Sequence, residues 1–283
     1  MRIAVLCSPD AWHFRDLKRA AGDRHELQSF RFEELSAQIG KDSNFNLSAD
    51  CVIVRTMPPG SLQQIVFRMD LLGQLARSGV LVLNAPRSIE AAVDKYLSLA
   101  LMQASGVPVP QTMVCQSVAT GLRQFKLLGS DVVFKPLFGS MGHGILRLRS
   151  TADAELCFQK MVEEGQVIYQ QAFIEHGGFD IRLLVVGQQV FGMRRTNRGH
   201  WITNISQGGT GVPYSPTEPE SKLAIRAARS SGAHFAGVDL LYDPDQKPWV
   251  VEVNAVPGWR AISEVLQLDI ASLMLTEIER LVE

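Results

Sequence analysis

Residues 236–258 read AGVDLLYDPDQKPWVVEVNAVPG, and this stretch decides the fold of the C-terminal part of the chain. Two apolar, strand-like runs flank the turn-forming segment 243–248, which predicts an antiparallel hairpin. A turn that is symmetric about residues 245–246 places Asp239 directly opposite Glu252. Residues two apart on a strand share a face, so Asn254 lies beside Glu252. The sequence therefore predicts three oxygen-bearing side chains on one face of the hairpin.

The two faces of this hairpin differ in polarity. The predicted core face carries Val238, Leu240, Val251 and Val253. Two carboxylates directly opposite each other are unfavourable in a sheet unless a cation lies between them, and carboxylate and amide oxygens are ligands that Mg²⁺ prefers. The alternative is a solvated polar face with acids there by chance. Leu241 and Val250, which this register places on the same face, favour the metal site.

The composition is that of an ordinary globular protein. The 283 residues are 46% hydrophobic and 20% charged, and 28 basic residues against 29 acidic ones give a net charge of −1. This balance excludes a disordered chain and gives no reason to expect a nucleic acid or an anionic membrane as partner. The four cysteines form no CxxC pair, which favours a reducing compartment. No apolar run approaches the roughly 20 residues of a spanning helix, so a cytoplasmic protein is expected.

The organisation of the chain changes after Gly106. Before it, short apolar strands alternate with helical stretches, which predicts an α/β lobe built on a parallel sheet. Ser8-Pro9-Asp10 follows the first strand where a dinucleotide-binding domain would have glycines, so such a domain is not expected. Helical spacing continues from Ser88 to Ala104. Strands then dominate, including a predicted strand at 201–204, and the overall fold class is α/β plus α+β.

Two lysines and a glycine-rich loop precede the hairpin. Lys135 ends a predicted strand, and the loop from Gly139 to Gly144 follows it. Backbone N–H groups in such a loop can bind phosphate oxygens. Taken singly, the loop fits a plain turn, Lys135 fits a solvent-facing strand end, and Lys95 fits a helix-surface charge. The order of lysine, lysine, glycine loop and acidic hairpin is the informative feature.

That order resembles the ATP-grasp superfamily, and within it the RimK-like amino-acid ligases. The resemblance rests on seven pieces in order: Asp94-Lys95, residues 107–112, residues 133–135, residues 139–144, Asp180-Ile181-Arg182, Gly237-Val238-Asp239 and Glu252-Val253-Asn254. It implies the ATP-grasp fold with three parts: a pre-ATP-grasp α/β lobe at 1–88, a central lobe with a glycine lid at 89–170, and a C-terminal lobe with the metal hairpin at 171–283.

The resemblance also implies roles for individual residues. Lys95 and Lys135 would contact the ATP phosphates. The lid over the phosphates would be formed by Gly139, Ser140, Met141 and Gly142. The adenine edge meets the backbone of Gln171, Ala172, Phe173 and Ile174, while Asp180 lies near the ribose and Asn204 near the phosphates. Mg²⁺, for which Mn²⁺ can substitute, is held by Asp239, Glu252 and Asn254. Positive charge at the reacting end comes from Arg182, Arg194 and Arg195.

Three positions depart from the family pattern. One concerns the contact to adenine, and two concern the places where acceptor substrates bind. Ala172 stands where many relatives have Glu, Gln207-Gly208-Gly209 replaces a version containing arginine, and the loop after the metal strand reads Val256-Pro257-Gly258-Trp259-Arg260. In that loop Arg260 is predicted to hold a substrate carboxylate and Trp259 to stack on an aromatic ring. The alternative is that Trp259 packs against the last helix and Arg260 caps a helix turn.

The activity that the resemblance implies is ATP-dependent carboxylate–amine ligation through an acyl phosphate. The amine is that of an amino acid such as glutamate. The acceptor is either a small cofactor, for example a pterin-type or furan-type carrier, or a protein C-terminus. Two alternatives stay open: an ATP-grasp phosphotransferase, which releases no free phosphate, and a nucleotide-binding module without chemistry. The intact lysine and acid set argues against the second. Whether the chain forms a homo-oligomer is also open.

Overall fold

The computed structural model describes residues 1–40, 44–139 and 142–282. The N-terminal part contains β1 (Arg2–Leu6), α1 (Trp12–Ala21), β2 (Glu26–Phe30), β3 (Ala37–Gln38), β4 (Asn44–Phe45), β5 (Cys51–Val54), α2 (Leu62–Arg77) and β6 (Leu81–Leu83). Four of these strands form a parallel sheet in the order β2-β1-β5-β6. The prediction of a parallel sheet with α/β alternation in this part of the chain is confirmed.

Helices cover both faces of this sheet. Phe14 and Leu17 of α1 are buried on one face, while Leu72 and Leu75 of α2 are buried on the other. The change of face between α1 and α2 means that the chain leaves β1 and β5 in opposite directions. The carboxyl ends of β1 and β5 therefore border a topological switch point, where ligands bind in open α/β sheets.

Two helices replace the single one predicted over 88–104. They are α3 (Pro86–Val93) and α4 (Lys95–Ala104). Asp94 separates them because its side chain accepts hydrogen bonds from the backbone N–H groups of Tyr96 at 2.9 Å and Leu97 at 3.0 Å. A carboxylate at this position caps a new helix. The cap places Lys95 in the first turn of α4.

The second sheet is antiparallel and has the order β7-β10-β8-β9. Its elements are β7 (Thr112–Cys115), α5 (Val118–Leu127), β8 (Val132–Phe134), β9 (Leu146–Leu148), α6 (Thr151–Glu163) and β10 (Ile168–Ala172). Phe125 of α5 and Phe158 of α6 are fully buried against it. Because β10 runs through residues 170 and 171, the predicted lobe boundary falls within a strand. The division into lobes stays a prediction.

The third sheet has five strands in the order β13-β12-β11-β14-β15. Its elements are β11 (Phe179–Val186), β12 (Gln189–Thr196), β13 (Thr210–Tyr214), α7 (Glu218–Ser230), β14 (Phe235–Tyr242), β15 (Pro248–Asn254), α8 (Arg260–Leu266) and α9 (Ile270–Val282). The strand predicted at 201–204 is wrong. That segment is a loop that leads into a short 3₁₀ turn, and the strand lies later, at β13.

The two faces of the five-stranded sheet have different partners. Leu183 and Val238 face the core that includes α7, whereas Leu184 and Phe235 face the core that includes α9. Further along the strands, the α9-side face turns polar and carries Asp180, Arg182, Arg195 and Asp239. This polar end borders the second sheet. No helix among the described residues has the length and apolarity needed to cross a bilayer.

The hairpin of β14 and β15 contains a bulge that the sequence reading missed. Leu240 pairs with Val250, whereas Asp239 pairs with Glu252, so Val251 is an extra residue. The predicted pairing of Asp239 with Glu252 is confirmed. The predicted faces of Val250 and Val251 are wrong, since Val250 is fully buried in the core and Val251 lines the polar cleft. The cause is the turn, which is centred on Asp245 instead of between 245 and 246.

Candidate active site

An open cleft lies between the second and third sheets. It brings together most of the residues predicted to bind nucleotide or metal. They are Lys135, Gly142, Gln171, Ala172, Phe173, Ile174, Asp180, Asn204, Asp239 and Glu252. Of the predicted lid, Ser140 and Met141 lie outside the described residues. One cleft thus joins the end of β8, the end of β10 and the acidic hairpin.

Lys135 lies half-buried at the end of β8. Its Nζ donates a hydrogen bond to Oε1 of Gln171 at 2.8 Å, which aims the ammonium group into the cleft. Burial lowers the pKa of Lys135 to about 8; Glu252 opposes this shift and Lys95 adds to it. The side-chain amide of Gln171 is in turn fixed by Thr112 at 3.0 Å. The ammonium is therefore held in position and needs an anion to be fully stabilised.

Lys95 reaches the same region from the first turn of α4. Its Nζ donates to the backbone oxygen of Gly139 at 2.9 Å, so it contacts the beginning of the glycine loop. Burial lowers the pKa of Lys95 as well, with Glu252 and Asp94 opposing the shift. The two lysines thus face one glutamate. This arrangement can neutralise the charge of bound phosphates.

The apolar end of the cleft contains the predicted adenine segment. The backbone N–H of Ala172 donates to the backbone oxygen of Gln111 at 2.8 Å, and that of Phe173 donates to the backbone oxygen of Asp131 at 3.1 Å. Both N–H groups already have hydrogen-bond partners within the protein. These two of the predicted backbone contacts are therefore not available to adenine. Trp201, which the sequence reading missed as a site residue, also lines the cleft, with its ring centroid 5.8 Å from that of Phe173.

Two arginines and two aspartates form a buried network at the polar end. Arg195 pairs bidentately with Asp180 at 2.7 and 2.6 Å and also contacts Asp239 at 2.9 Å. Arg182 donates to Asp239 at 2.7 Å. Thr203, another residue that the sequence reading missed, donates to Asp180 at 2.6 Å. Each carboxylate is therefore satisfied, which is the condition for burying charge.

This network bears on the predicted roles of Asp180 and Asp239. Asp180 lines the cleft, as a position near the ribose requires, but both of its carboxylate oxygens accept hydrogen bonds from Arg195. Its side chain thus positions Arg195. Burial alone would raise the pKa of Asp239, yet Arg182 and Arg195 lower it to about 2. Asp239 therefore stays an anion at all physiological pH values.

Arg194 does not belong to this network. Successive residues on a strand point to opposite faces of a sheet, so Arg194 and Arg195 cannot both face the cleft. Arg194 is exposed and lies over the Phe179 ring, 4.0 Å from its centroid. Its cross-strand partner is Ile181, which faces the α7 side. The prediction that Arg194 acts at the reacting end is wrong for this reason.

The donors of the hairpin fit a magnesium ion. Asp239 and Glu252 are direct cross-strand partners, and the Glu252 carboxylate has no hydrogen bond or ion pair with any other described residue. Asn254 uses its Oδ1 to accept from the backbone N–H of Val256 at 2.8 Å. No cluster of three or more His, Cys, Asp or Glu occurs in the described ranges. Two carboxylates suffice, because Mg²⁺ usually takes its other ligands from water and substrate phosphates.

Gly237 is a further residue that the network requires. A Cβ atom at this position would overlap the guanidinium of Arg182, which lies across β14 to reach Asp239. Glycine within a strand commonly marks such a close approach. The Gly-Val-Asp piece was recognised in the sequence, but the contact that explains its glycine involves a residue 55 positions earlier and could not be read from spacing.

Trp259 and Arg260 differ from each other in environment. Trp259 is fully buried, and its Nε1 donates to Asp16 of α1 at 2.8 Å. Its ring thus offers no face to an acceptor, and the stacking prediction is wrong; the packing alternative holds, with α1 as an additional partner. Arg260 is exposed, begins α8 and pairs with Glu264 at 2.9 Å. A substrate contact for Arg260 stays a prediction.

Known proteins resemble this chain over nearly its whole length. A family model described as a RimK-like ATP-grasp domain matches residues 92–278. The tetrahydromethanopterin:alpha-L-glutamate ligase of Methanosarcina acetivorans is 30% identical over 321 residues, covering 98% of this chain and 98% of that protein. The ligase of the same name from Methanococcus maripaludis is 34% identical over 290 residues, covering 98% and 97%.

A solved structure shows the same fold. The ATP-grasp ligase PsnB, complexed with a phosphomimetic variant of its minimal precursor, Mg and ADP, matches with a TM-score of 0.76 and 19% identity, covering 99% of this chain and 98% of that one. The two sheets that enclose the cleft are therefore those of an ATP-grasp enzyme. More narrowly, the chain belongs to the RimK-like ATP-grasp family and is an ATP-dependent ligase. The predictions of family, fold class and enzyme class are confirmed.

Proposed function

We propose that this protein is an ATP-dependent α-L-glutamate ligase whose acceptor is the carboxylate of a pterin-type carrier. The observation that carries the chemistry is the shared cleft of Lys135, Asp239 and Glu252, which opposes cations to a pair of carboxylates. The substrate assignment draws on two tetrahydromethanopterin:alpha-L-glutamate ligases, whose matches cover 98% of this chain. Because these matches are not confined to the nucleotide cleft, they support a shared class of acceptor.

The reaction has two group-transfer steps. An oxygen of the acceptor carboxylate forms a bond to the γ-phosphorus of ATP, the bond to the bridging oxygen breaks, and ADP leaves. The glutamate amine then bonds to the acyl carbon, phosphate leaves with the carboxylate oxygen, and the amine loses a proton. Both steps develop negative charge on phosphate oxygens, so cations fixed beforehand stabilise the transition states.

The residues of this chain would divide these tasks. Lys135 and Lys95 bind the phosphates, and the loop that begins at Gly139 excludes water from the acyl phosphate. Asp239, Glu252 and Asn254 would hold Mg²⁺, which when bound neutralises phosphate charge; Mn²⁺ is expected to substitute. Arg182 and Arg195 keep Asp239 ionised and fixed in orientation.

The test is a product analysis with purified protein, ATP, Mg²⁺, isotopically labelled L-glutamate and a reduced pterin carrier that bears a free carboxylate. Mass spectrometry is expected to show a product heavier by one glutamyl residue, together with ADP and free phosphate in equal amounts. A phosphorylated acceptor without free phosphate would instead establish a phosphotransferase. Nucleotide binding with no product from any carboxylate acceptor would establish a binding module.

A further inference from the structure

Arg55 is a buried cation without a carboxylate partner. It follows β5 and is 8% exposed, yet no described Asp or Glu forms an ion pair with it. Its Nη2 donates to the backbone oxygen of Pro257 at 2.7 Å, while its Nε is buried and has no hydrogen-bond partner among the described residues. Arginine is almost never buried unless it is paired, and an unsatisfied donor is destabilising. The site is therefore incomplete with respect to negative charge.

Two titratable side chains interact electrostatically with Arg55, and neither supplies a negative charge. They are the Cys7 thiol, whose pKa burial raises to about 11, and His13, whose pKa burial lowers to about 4. Both are neutral near pH 7. The guanidinium lies 4.5 Å from the Trp259 ring centroid, so one of its flat faces is occupied, and at its edge Nε has no hydrogen-bond partner among the described residues. Planar arginine pairs best with a carboxylate along that edge.

Arg55 lies at the edge of the parallel sheet where open α/β folds bind their ligands. Its backbone N–H donates to Leu6 at 3.2 Å, so it lies where β1 and β5 end, at the switch point of the parallel sheet. Its hydrogen-bond acceptor, Pro257, stands three residues after Asn254 of the metal hairpin. Three residues of chain span at most about 10 Å. Arg55 is therefore close to the end of the cleft where the amide bond would form.

The other cations that the structure places near this end have partners of their own. Arg182 and Arg195 pair with aspartates, Arg260 pairs with Glu264, and Lys95 and Lys135 face Glu252 and the phosphate region. The incoming amine of an amino acid is separated from its own α-carboxylate by one carbon atom. A cation beside the reacting end is thus where that carboxylate would lie. We propose that Arg55 recognises the α-carboxylate of the incoming amino acid through its guanidinium edge.

This inference rests on the proposed function, because it assumes that the protein joins an amino acid to a carboxylate. It does not assume that the amino acid is glutamate. The experiment compares each amino acid that the protein accepts with its α-carboxamide, in the parent and in Arg55→Met. The parent is expected to prefer the free acid by about 100-fold in kcat/KM, as the loss of a buried charge pair implies. In Arg55→Met the preference is expected to fall to a few fold, with KM for ATP unchanged.

Arg68→Met is a matched control. Arg68 is also buried, at 6% exposure, donates to the backbone oxygen of Pro58 at 2.6 Å and lies over an aromatic ring, that of Phe32. It belongs to α2 and contacts the segment that follows Arg55, so its replacement tests whether loosening that segment alone changes the preference. Arg68→Met is expected to lower stability and to keep the preference for the free acid. If Arg55→Met does not fold, Arg55→Lys keeps the charge without the fork and is expected to lower the preference about tenfold.

The possible failures are distinguishable. An undiminished preference for the free acid in folded Arg55 variants would overturn the role of Arg55 while leaving the ligase function intact. Ligation of an amino acid other than glutamate would contradict the proposed function, yet the comparison with that amino acid's α-carboxamide would still test Arg55. A parent that ligates no amino acid would overturn both.

Discussion

Arg182 and Asp239 are cross-strand partners on β11 and β14, and Nη1 of the arginine donates to Oδ1 of the aspartate at 2.7 Å. The pair lies at the polar end of a sheet whose remaining length is apolar, and both side chains are largely buried. Arg195 contacts the second oxygen of the same carboxylate. A metal that binds Asp239 therefore meets a carboxylate that is ionised and oriented in advance.

Gly237→Ala tests this arrangement. The added methyl group overlaps the Arg182 guanidinium and should displace it from Asp239, which costs about 1–3 kcal/mol of stability. Thermal unfolding measures the loss, and Mg²⁺-ATP affinity is expected to fall with it. Gly73→Ala in α2 is the control, because only the Arg77 head lies near its Cβ and alanine favours a helix. Equal stability of the two variants would contradict the close approach.

The pH dependence of ATP binding tests Lys135. With a pKa of about 8 in the free protein, Lys135 is charged below that pH and loses its proton above it. ATP affinity is therefore expected to be flat below pH 8 and to fall by up to tenfold per unit above it. In Lys135→Met the affinity should be lower at pH 7 and show less change with pH. Calorimetry from pH 7 to 9.5 measures both, with Lys160→Met of α6 as control.

The stability of the ATP-free protein should show the opposite trend. Lys135 has a lower pKa when folded than its ordinary value of 10.5, so the unfolded chain binds more protons between pH 8 and 10.5. The contribution of Lys135 to stability therefore rises with pH in this window. Chemical unfolding of the parent and of Lys135→Met isolates it, and an identical pH trend in both proteins would contradict the burial of the ammonium.

Glu252→Gln tests the metal face. The change keeps the shape and removes the one carboxylate of the cleft that has no hydrogen bond or ion pair among the described residues. Turnover is expected to fall by about 100-fold or more and Mg²⁺-ATP affinity to weaken. Glu164→Gln on the exposed end of α6 is the control. Unchanged Mg²⁺-ATP affinity in Glu252→Gln, measured by calorimetry, would count against a metal on this hairpin.

Trp259→Leu tests whether the indole is structural. The substitution removes a fully buried ring and its hydrogen bond to Asp16, and is expected to cost about 2–4 kcal/mol. Trp249→Leu, at a half-buried hairpin position, should cost about 1 kcal/mol. KM for a pterin acceptor is expected to stay unchanged in Trp259→Leu at temperatures where it is folded. A selective rise in that KM with normal stability would restore the stacking role.

Local sequence predicted the parts of the site that depend on alternation along a strand. The pairing of Asp239 with Glu252 and the strand-end position of Lys135 follow from turn residues and period-two patterns. The bulge at Val251 could not be predicted, because the turn residues fit two centres half a residue apart. Only the burial of Val250 against the rest of the protein decides between them.

Residues whose role depends on distant contacts were harder to predict. Arg194 and Arg195 have the same side chain and are neighbours on one strand. The alternation of side chains along a strand places them on opposite faces of the sheet, but it does not indicate which of them faces the cleft. Trp259 follows the metal strand closely in sequence, yet α1, more than 240 positions earlier, supplies the hydrogen-bond partner that buries it. No role for Arg55 could be predicted from the sequence, because an arginine without a nearby acid is unusual only when it is buried. The local sequence does not show that burial.

Transfer of oxygen from acceptor to phosphate is the most direct test of the ligase mechanism. The acceptor carboxylate is labelled with ¹⁸O, and the free phosphate formed with ATP, Mg²⁺ and L-glutamate is analysed by mass spectrometry. Activation of the carboxylate in the cleft of Lys135, Asp239 and Glu252 predicts one ¹⁸O atom in the phosphate for each amide bond formed. Amide product accompanied by unlabelled phosphate would contradict an acyl-phosphate ligase.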